Sequence, residues 1–461
     1  MRPTGTRRDP CPYPRRVTTT LPGRRTRRGT AAAWGLAVTV ALMVLAMVVP
    51  AATGWNVRVN SFPPLHAEWD PRVGWGTVPA VALAVLGLLH ASRLADRLTW
   101  RRLLLAVFLG GLAWMLALAF VDGSHGVSQI LGDPYEYLRT ARRTTDLHTT
   151  LQEYVSRIRY EAEPRNWPVH VAGHPAGALT FFVVLDRLQL GSGFAAGLVV
   201  TVLAATTAVA VLVTTRLLGA EQLARRAAPF LVLGPAAVWQ SVSADAMFAA
   251  TGAWGVACLA LGATRRSVGW SLLAGLLLGY AVMLSYGLPL IGVLALAVLV
   301  VARSWFPLAF AVVAALAVVV VFALSGFSYL EALPAIHDRY YEGVGGRRPW
   351  TYWMWGDLAA LAFCAGPLVG AGVAQLVAGG RGFLRETGTR TVLWLSGAGV
   401  AMVLMADLSQ MSRAEVERIW LPFVPWLLLS CALLPEPWRR RGLVVQVVLA
   451  LAVQHLLLTG W

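Results

Sequence analysis

Gly132-Asp133-Pro134-Tyr135-Glu136-Tyr137-Leu138 lies within a polar stretch that opens with Asp122-Gly123-Ser124-His125 and closes with Trp167-Pro168-Val169-His170-Val171-Ala172-Gly173-His174-Pro175-Ala176-Gly177. Carboxylates, histidines and aromatic residues are concentrated here, whereas the flanking sequence is almost entirely apolar. A loop of this length inside a compact protein is usually functional. We therefore expect any chemistry of this protein to take place in this stretch.

The composition of the whole chain indicates an all-α, polytopic membrane protein. Hydrophobic residues make up 57% of the 461 residues, charged residues make up only 13%, and the mean hydropathy is +0.62. A soluble globular chain would not carry this composition. The net charge of +16, from 39 basic and 23 acidic residues, does not indicate nucleic-acid binding, because the arginines cluster between apolar segments as topology signals.

About 13 segments are long and apolar enough to cross a bilayer, which requires roughly 17 to 25 residues per helix. They are 31–53, 77–92, 101–121, 194–215, 226–242, 245–263, 268–286, 287–302, 305–327, 353–378, 391–407, 419–434 and 443–459. We divide the chain into a disordered Arg-rich cytoplasmic tail (1–30), two N-terminal transmembrane helices (31–100) and a main transmembrane domain (101–461) that includes the long loop 122–193.

The positions of the arginines predict the orientation of the protein, because Lys and Arg prefer cytoplasmic loops. With the N-terminus in the cytoplasm, six loops that all carry arginine lie on the same side, namely those with Arg93–Arg102, Arg216–Arg226, Arg265–Arg266, Arg303, Arg381–Arg390 and Arg439–Arg441. The loop 122–193 is then extracytoplasmic in a multi-pass plasma-membrane protein. This arrangement requires that segment 178–190, which contains Asp186 and Arg187, does not cross; if it crosses, every later loop changes side.

Two short amphipathic helices are predicted within the long loop. Asp133 is a good N-cap, Pro134 suits the first helical position, and Glu136 follows at the spacing of a capping box. The second helix begins at Asp146, and its apolar residues recur at helical spacing. Helices of this kind lie in the membrane interface.

Several stretches of the chain resemble the GT-C glycosyltransferases, which are multi-spanning enzymes that use polyprenyl-phosphate sugars. The stretches are the first large outer loop with an early carboxylate and a His174-Pro175 element near its end, Pro235-Ala236-Ala237-Val238-Trp239, Ser243-Ala244-Asp245-Ala246-Met247-Phe248, Gly275-Leu276-Leu277-Leu278-Gly279, Ser285-Tyr286-Gly287 and Glu415-Val416-Glu417-Arg418-Ile419-Trp420-Leu421-Pro422. They are most similar to the branch that contains protein O-mannosyltransferases, lipid A aminoarabinose transferases and RgtA/B/C/D-like proteins. The resemblance covers roughly residues 101–435, while the two N-terminal helices depart from it.

The resemblance implies transfer of a monosaccharide, such as mannose or arabinose, from a polyprenyl-phosphate donor to a glycan, lipid or protein acceptor on the extracytoplasmic face, with inversion. It implies membrane lipid as the surroundings and no cofactor, and it neither indicates nor excludes a divalent metal. We expect no nucleic-acid partner, because the arginines are topology signals. Two alternatives from other classes remain. A flippase or transporter for lipid-linked sugars predicts internal repeats and polar residues deep within helices, and a non-catalytic membrane scaffold predicts tolerance to loss of the loop carboxylates.

A base for the acceptor hydroxyl is expected among the loop carboxylates. Asp133 is the first candidate and Asp122 the second, since both lie on the predicted outer side and Asp122 is at the membrane boundary. Each also has a structural interpretation, because Asp133 can cap a helix and Asp122 can end one. We interpret Glu136 as the capping-box partner of Asp133.

Substrate-binding residues are expected among the other polar residues of the outer loops. Arg418 is the preferred phosphate ligand, because a guanidinium suits a bidentate phosphate contact. A carboxylate at membrane depth is costly and tends to mark a site, so Asp245 is a second candidate, although it can instead favour a helix dipole. The remaining candidates are His170, His174, Glu417 and Tyr340. The aromatic residues around Tyr340 can equally form an interfacial belt.

Overall fold

The computed structural model describes residues 22–59 and 62–460, and almost all of its regular structure is helical. The α-helices are α1 (Pro22–Thr53), α2 (Thr77–Arg97), α3 (Trp100–Ala119), α4 (His125–Gly132), α5 (Tyr137–Arg143), α6 (Leu147–Gln152), α7 (Val169–Gly173), α8 (Ala176–Arg187), α9 (Gly193–Leu217), α10 (Glu221–Leu233), α11 (Ala236–Gln240), α12 (Ala244–Arg265), α13 (Val268–Leu284), α14 (Ile291–Ala302), α15 (Phe306–Leu324), α16 (Tyr329–Glu342), α17 (Val344–Arg347), α18 (Trp350–Ala365), α19 (Leu368–Gly379), α20 (Thr387–Ser409), α21 (Val416–Ile419), α22 (Val424–Leu428) and α23 (Glu436–Leu456). Short 3-10 helices lie at Phe120–Asp122, Val155–Arg157, Tyr160–Ala162, Leu288–Leu290, Gly380–Leu384 and Leu429–Leu433. The predicted all-α membrane class is confirmed.

Seven helices in the described part of the chain are long and apolar enough to cross a membrane. They contain Gly29–Thr53, Thr77–Arg97, Trp100–Asp122, Gly193–Leu217, Ala244–Arg265, Phe306–Leu324 and Thr387–Ser409. An eighth span arises if the pair α18 and α19, bent by 105° at Gly366 and Pro367, is counted as one. The predicted number of about 13 membrane spans is therefore not confirmed. Several predicted spans are shorter or broken helices, as at Gly234, where α10 ends before α11.

A small β-sheet, which was not predicted from the sequence, joins the segment between α1 and α2 to the residues that follow α23. Strand β1 (Ala67–Trp69) pairs antiparallel with β2 (Leu457–Thr459), with Glu68 opposite Leu458. The predicted last span, 443–459, is therefore wrong at both ends, because the helix begins earlier and its final residues pair with β1 instead. This pairing holds the loop between the two N-terminal helices against the C-terminal helix.

The two N-terminal helices are part of the same bundle. Helix α1 packs against α18 and α19, where the Tyr352 hydroxyl donates a hydrogen bond to the Ala46 carbonyl oxygen at 2.7 Å, and α2 packs against α3 and α10. Helix α1 begins at Pro22, so the last nine residues of the predicted disordered tail, 22 to 30, are helical. Residues 1–21 of that tail lie outside the described residues.

The long loop 122–193 folds into a helical layer formed by α4 to α8. The predicted cap at Asp146 is confirmed, because its carboxylate accepts a hydrogen bond from the His148 backbone N–H at 2.9 Å. The predicted capping box is wrong: Asp133 follows α4, the next helix begins at Tyr137, and the Glu136 side chain makes no capping hydrogen bond. The tertiary contacts of Glu136, described below, take the place of that local interaction.

Helix α8 supports the prediction that segment 178–190 does not cross. Its 12 residues extend about 18 Å, which is shorter than the roughly 30 Å hydrocarbon core of a bilayer. The helix packs closely on α13, where a Cβ atom at Gly177 would lie 2.5 Å from the Met283 carbonyl oxygen. Glycine at this position therefore permits the close approach of the two backbones.

Candidate functional site

A buried arginine lies at the centre of a charged cluster that joins three distant segments. Arg418 on α21 donates a hydrogen bond through Nη1 to Glu136 Oε1 at 3.0 Å, and its Nε lies 3.3 Å from Asp245 Oδ2 in the first turn of α12. The side chains of Arg418, Glu136 and Asp245 are 3%, 2% and 3% exposed. Buried charges persist only when they are paired, so this arrangement fixes the relative positions of the three segments.

His170 extends this cluster from helix α7. Its Nδ1 lies 2.5 Å from Glu136 Oε1, and its Nε2 lies 3.4 Å from Arg418 Nη2. The backbone N–H of His170 also donates a hydrogen bond to the Tyr135 carbonyl oxygen at 3.3 Å, which ties α7 to the residues before α5. A carboxylate that accepts from one ring nitrogen orients the imidazole and selects its tautomer, as in carboxylate–histidine pairs of hydrolases.

His174 forms the second branch of the cluster. Its Nδ1 lies 2.7 Å from the Tyr137 hydroxyl and its Nε2 lies 4.0 Å from Asp245 Oδ1. Nδ1 also lies 2.9 Å from the His170 carbonyl oxygen, which can only accept, so this contact places the ring proton on Nδ1. Aromatic rings enclose this branch, since Tyr137 stacks on Phe182 at 5.0 Å and Phe248 lies 5.4 Å from the His174 ring.

The residues that precede His174 are held by buried hydrogen bonds to backbone carbonyls. The Tyr154 hydroxyl lies 2.7 Å from the Val171 oxygen and 3.1 Å from the His174 oxygen. Arg339 on α16 donates to the Ile158 oxygen at 2.5 Å and to the Trp167 oxygen at 2.7 Å. The segment that carries both histidines is therefore fixed from two sides, and Arg339, which belongs to a predicted outer loop, has a structural role here.

The electrostatics of the cluster keep its central ion pair charged. Burial by itself raises the pKa of Glu136, but the charge and hydrogen bond of His170 and the charge of Arg418 outweigh it and lower that pKa to about 2. Burial by itself lowers the pKa of Arg418, whereas the charges of Asp245 and Glu136 raise it above its ordinary value. The pKa of His174 is lowered, chiefly by burial, so this imidazole is neutral at physiological pH.

Acidification is expected to destabilise the fold in two steps. Below pH 6.5 the unfolded chain protonates His174 while the folded chain, in which the pKa is lowered, does not, so the stability falls with pH. The pKa of Glu136 falls from 4.5 to about 2 on folding, so its stabilisation is complete above pH 4.5 and is lost as the pH drops through about 2. The second loss is on the order of 3 kcal/mol.

The first step can be isolated by comparing thermal unfolding of the purified protein in detergent at pH 7 and pH 5. We expect the variant His174→Gln to lose less stability between these values than the wild type, because it removes the group with the lowered pKa. His337→Gln, which changes an exposed histidine, serves as the control and should keep the wild-type difference. An identical loss in the wild type and His174→Gln would contradict the assignment.

A second polar cluster joins the segment 328–352 to the segment before Arg418. Arg348 contacts Glu415 through Nη2 at 3.0 Å and donates to the Arg413 carbonyl oxygen at 2.6 Å. The Tyr340 hydroxyl accepts a hydrogen bond from the Arg413 N–H at 2.7 Å, so this predicted substrate-binding tyrosine has a structural contact.

Two buried carboxylates lie close to Arg418 in the chain or in space. Asp357 accepts a hydrogen bond from the Ala414 N–H at 2.8 Å, and Glu417 is buried on α21. These contacts hold the turn that presents Arg418.

The two predicted base candidates lie outside the central cluster. Asp122 forms an ion pair with Arg72, and its Oδ2 also accepts a hydrogen bond from Gln454 at 2.9 Å, so it links the first and last parts of the bundle. Asp133 is partly exposed and accepts a hydrogen bond from the Tyr135 N–H at 2.8 Å. Asp133 and Glu136 are three positions apart in the chain, which limits the distance between their Cα atoms to about 11 Å.

The structure thus brings together four of the predicted site residues, which are His170, His174, Asp245 and Arg418. Sequence reasoning missed Glu136 and Tyr137 as members of this cluster. The available signal was their place in the same polar stretch that contains His170 and His174.

No group of three or more His, Cys, Asp or Glu residues within residues 22–59 and 62–460 is arranged to hold a metal ion. In the central cluster the guanidinium of Arg418 lies between the carboxylates, where a cation would otherwise bind. The predicted lack of a cofactor stays a prediction. No protein-family model matches the chain, and no curated protein matches it either.

Proposed function

We propose that this protein is a membrane glycosyltransferase of GT-C type, which transfers a monosaccharide from a polyprenyl-phosphate donor to an acceptor at the cell envelope, with inversion. The observation that supports this proposal is the buried cluster of Arg418, Glu136, Asp245 and His170. Its members come from segments that the arginine pattern predicts to lie on the extracytoplasmic side. The number of membrane spans and the orientation are part of the same proposal.

The chemistry of transfer requires a cation for the departing phosphate. A guanidinium has five N–H donors, so Arg418 can bind a phosphate oxygen in addition to its two carboxylate partners. Glu136 and Asp245 both pair with the single positive charge of Arg418, and the His170 imidazole contacts both Glu136 and Arg418. In this proposal the carboxylates position Arg418, and His170 assists the binding of the anion.

Transfer also requires a base for the acceptor hydroxyl. A pKa of about 2 makes Glu136 a weak base at neutral pH, which favours its role as a positioning residue. Asp122 is held by Arg72 and Gln454. Asp133 is partly exposed and close to the cluster in the chain, and the neighbouring Tyr135 contacts His170. We therefore assign the base to Asp133, which is partly exposed and three positions before Glu136 in the chain.

The test is sugar transfer in membranes that express the full chain. Membranes are incubated with radiolabelled polyprenyl-phosphate mannose, arabinose, glucose or galactose, and label in glycan, lipid and protein fractions is measured. We expect transfer by the wild type and a reduction of about 10- to 100-fold in Arg418→Lys, which keeps the charge but loses the planar fork. Arg159→Lys, at an exposed ion pair, is the matched control. The anomeric configuration of the product, opposite to that of the donor, would establish inversion.

The same experiment separates the alternatives. A flippase would move the labelled lipid across the bilayer without releasing the sugar from its phosphate, and a scaffold would leave all label on the donor. Either result with confirmed expression of the wild type would contradict the proposed activity. Equal transfer by the wild type and Arg418→Lys would instead contradict the proposed role of Arg418 in binding the phosphate.

A further inference from the structure

An apolar groove lies between α2, α3 and α10. None of the residues that line it belongs to the proposed site of sugar transfer. It encloses about 690 Å³, and its lining includes Leu86, Gly87 and His90 of α2, Ala106 and Gly110 of α3, and Val232 of α10. Only 17% of the most apolar part of α2 is buried inside the protein, so this helix presents much of its surface to the surroundings. In a membrane, such a groove is accessible to lipid chains.

A basic cavity adjoins one end of this groove. It encloses about 250 Å³, and Arg93 and Pro229 line both cavities. Five arginines and two carboxylates line the basic cavity, which leaves a charge of 5 − 2 = +3; they are Arg93, Arg225, Arg226, Arg439, Arg440, Asp96 and Glu436. The arginines belong to α2, α10 and α23, so the fold assembles them from three helices.

The arginines of the basic cavity have different contacts. Arg225 is held by Glu221 and by the carbonyl oxygens of Ala95 and Leu98, at 2.8 and 2.9 Å, and it connects α10 to the end of α2. Arg93 and Arg226 form no ion pair within the part of the chain that the structure describes. Burial lowers the pKa of Arg439 and the charge of Arg226 lowers it further, whereas the charges of Glu436 and Asp96 raise it. A bound anion would offset the charge of Arg226 beside Arg439.

We propose that the groove and the basic cavity together bind one anionic phospholipid of the bilayer, with its phosphate among Arg93, Arg226 and Arg439 and an acyl chain along α2 and α3. Basic cavities between transmembrane helices on the cytoplasmic side suit anionic headgroups. These arginines belong to the predicted cytoplasmic loops, whereas the cluster around Arg418 belongs to predicted outer loops. The lipid site is therefore separate from the proposed site of sugar transfer. Its role is to hold one anionic phospholipid of the surrounding bilayer.

Native mass spectrometry of the purified full-length protein tests the headgroup. Phosphatidylglycerol and phosphatidylcholine with identical acyl chains are titrated in detergent, and glycerol phosphate is used as the free anion. We expect one phosphatidylglycerol bound at least tenfold more tightly than phosphatidylcholine. The double variant R93Q/R226Q should bind it about 10- to 30-fold more weakly, given about 1 kcal/mol for each arginine near a membrane surface. R265Q, at another predicted cytoplasmic loop, should bind like the wild type.

A second pair of variants tests the groove. A106F places a ring in the groove and should weaken phosphatidylglycerol binding, whereas L105F, at an exposed neighbour outside the groove, should not. Equal binding of the two phospholipids, or equal losses in R265Q and in R93Q/R226Q, would overturn the proposal. Binding of glycerol phosphate as tight as that of phosphatidylglycerol, unaffected by A106F, would identify a free-anion site and would overturn it as well.

Discussion

Replacing Arg418 by leucine is expected to lower the free energy of unfolding by about 3–5 kcal/mol, because it leaves buried carboxylates without their cation. Glu136 and Asp245 are both within 3.3 Å of the guanidinium and are almost completely buried. Water cannot replace the arginine without opening the contact between α21 and the helical layer that contains α5. The measurement is thermal or denaturant-induced unfolding of the purified protein in detergent, compared with the wild type.

Two further variants distinguish loss of charge balance from loss of packing. The triple variant Arg418→Leu, Glu136→Gln and Asp245→Asn removes the unpaired charges together with the cation and should recover part of the stability. Arg159→Leu breaks an exposed pair with Asp338, at 2.7 Å, and should cost less than about 1 kcal/mol. A triple variant no more stable than the single one would contradict the electrostatic explanation, as would a loss below 1 kcal/mol in Arg418→Leu.

The cluster around Arg418 shows what could be predicted from the sequence. The sequence predicts Asp245 at a substrate site because a carboxylate at membrane depth is costly, and Arg418 because a guanidinium suits a bidentate phosphate contact. His170 and His174 are further candidates that also have a structural interpretation. Their convergence was not predicted, since their pairing depends on contacts between segments more than 70 residues apart in the chain. Physical arguments about single residues thus identified the members of the cluster without identifying their partners.

Glu136 shows why a local pattern can mislead. The spacing Asp133, Pro134, Glu136 fits a capping box, and the contact between such residues is worth about 1 kcal/mol. In the structure, Glu136 is paired with Arg418 and His170 in a buried environment, where those contacts are stronger than an exposed cap. Asp146, which has no such partner, does cap its helix as predicted. Tertiary contacts therefore determine the side-chain partners of Glu136, and local hydrogen bonding determines those of Asp146.

The breaks within the predicted membrane spans were also not predicted from the sequence. A hydropathy window over 226–242 does not register that α10 ends at Gly234, and one over 353–378 does not register the 105° bend near Gly366. Gly366 has a φ of 79°, which favours glycine, and Pro367 cannot continue the preceding helix. These residues were visible in the sequence, but composition over a long window outweighed them in the prediction of spans.

The replacement Asp133→Asn is expected to reduce sugar transfer by about 10²- to 10⁴-fold, because the amide cannot accept the proton of the acceptor hydroxyl. The variant is nearly isosteric, and the Asn oxygen can still accept the hydrogen bond from the Tyr135 N–H, so the turn before α5 should be kept. Transfer from the radiolabelled polyprenyl-phosphate sugar that the wild type uses is measured in membranes with equal amounts of each protein. A fall in the maximal rate with an unchanged KM for the donor is the expected pattern.

Asp146→Asn is the matched control, because it changes an exposed carboxylate of the same helical layer that caps α6. It should transfer sugar at the wild-type rate.

Asp122→Asn weakens the contacts with Arg72 and Gln454, so we expect a loss of stability in this variant and a reduction in transfer of less than about tenfold at equal protein level. A collapse of transfer in Asp122→Asn with activity kept in Asp133→Asn would assign the base to Asp122. Full activity in both variants would exclude a carboxylate base from these positions and would contradict the assignment of the base to Asp133.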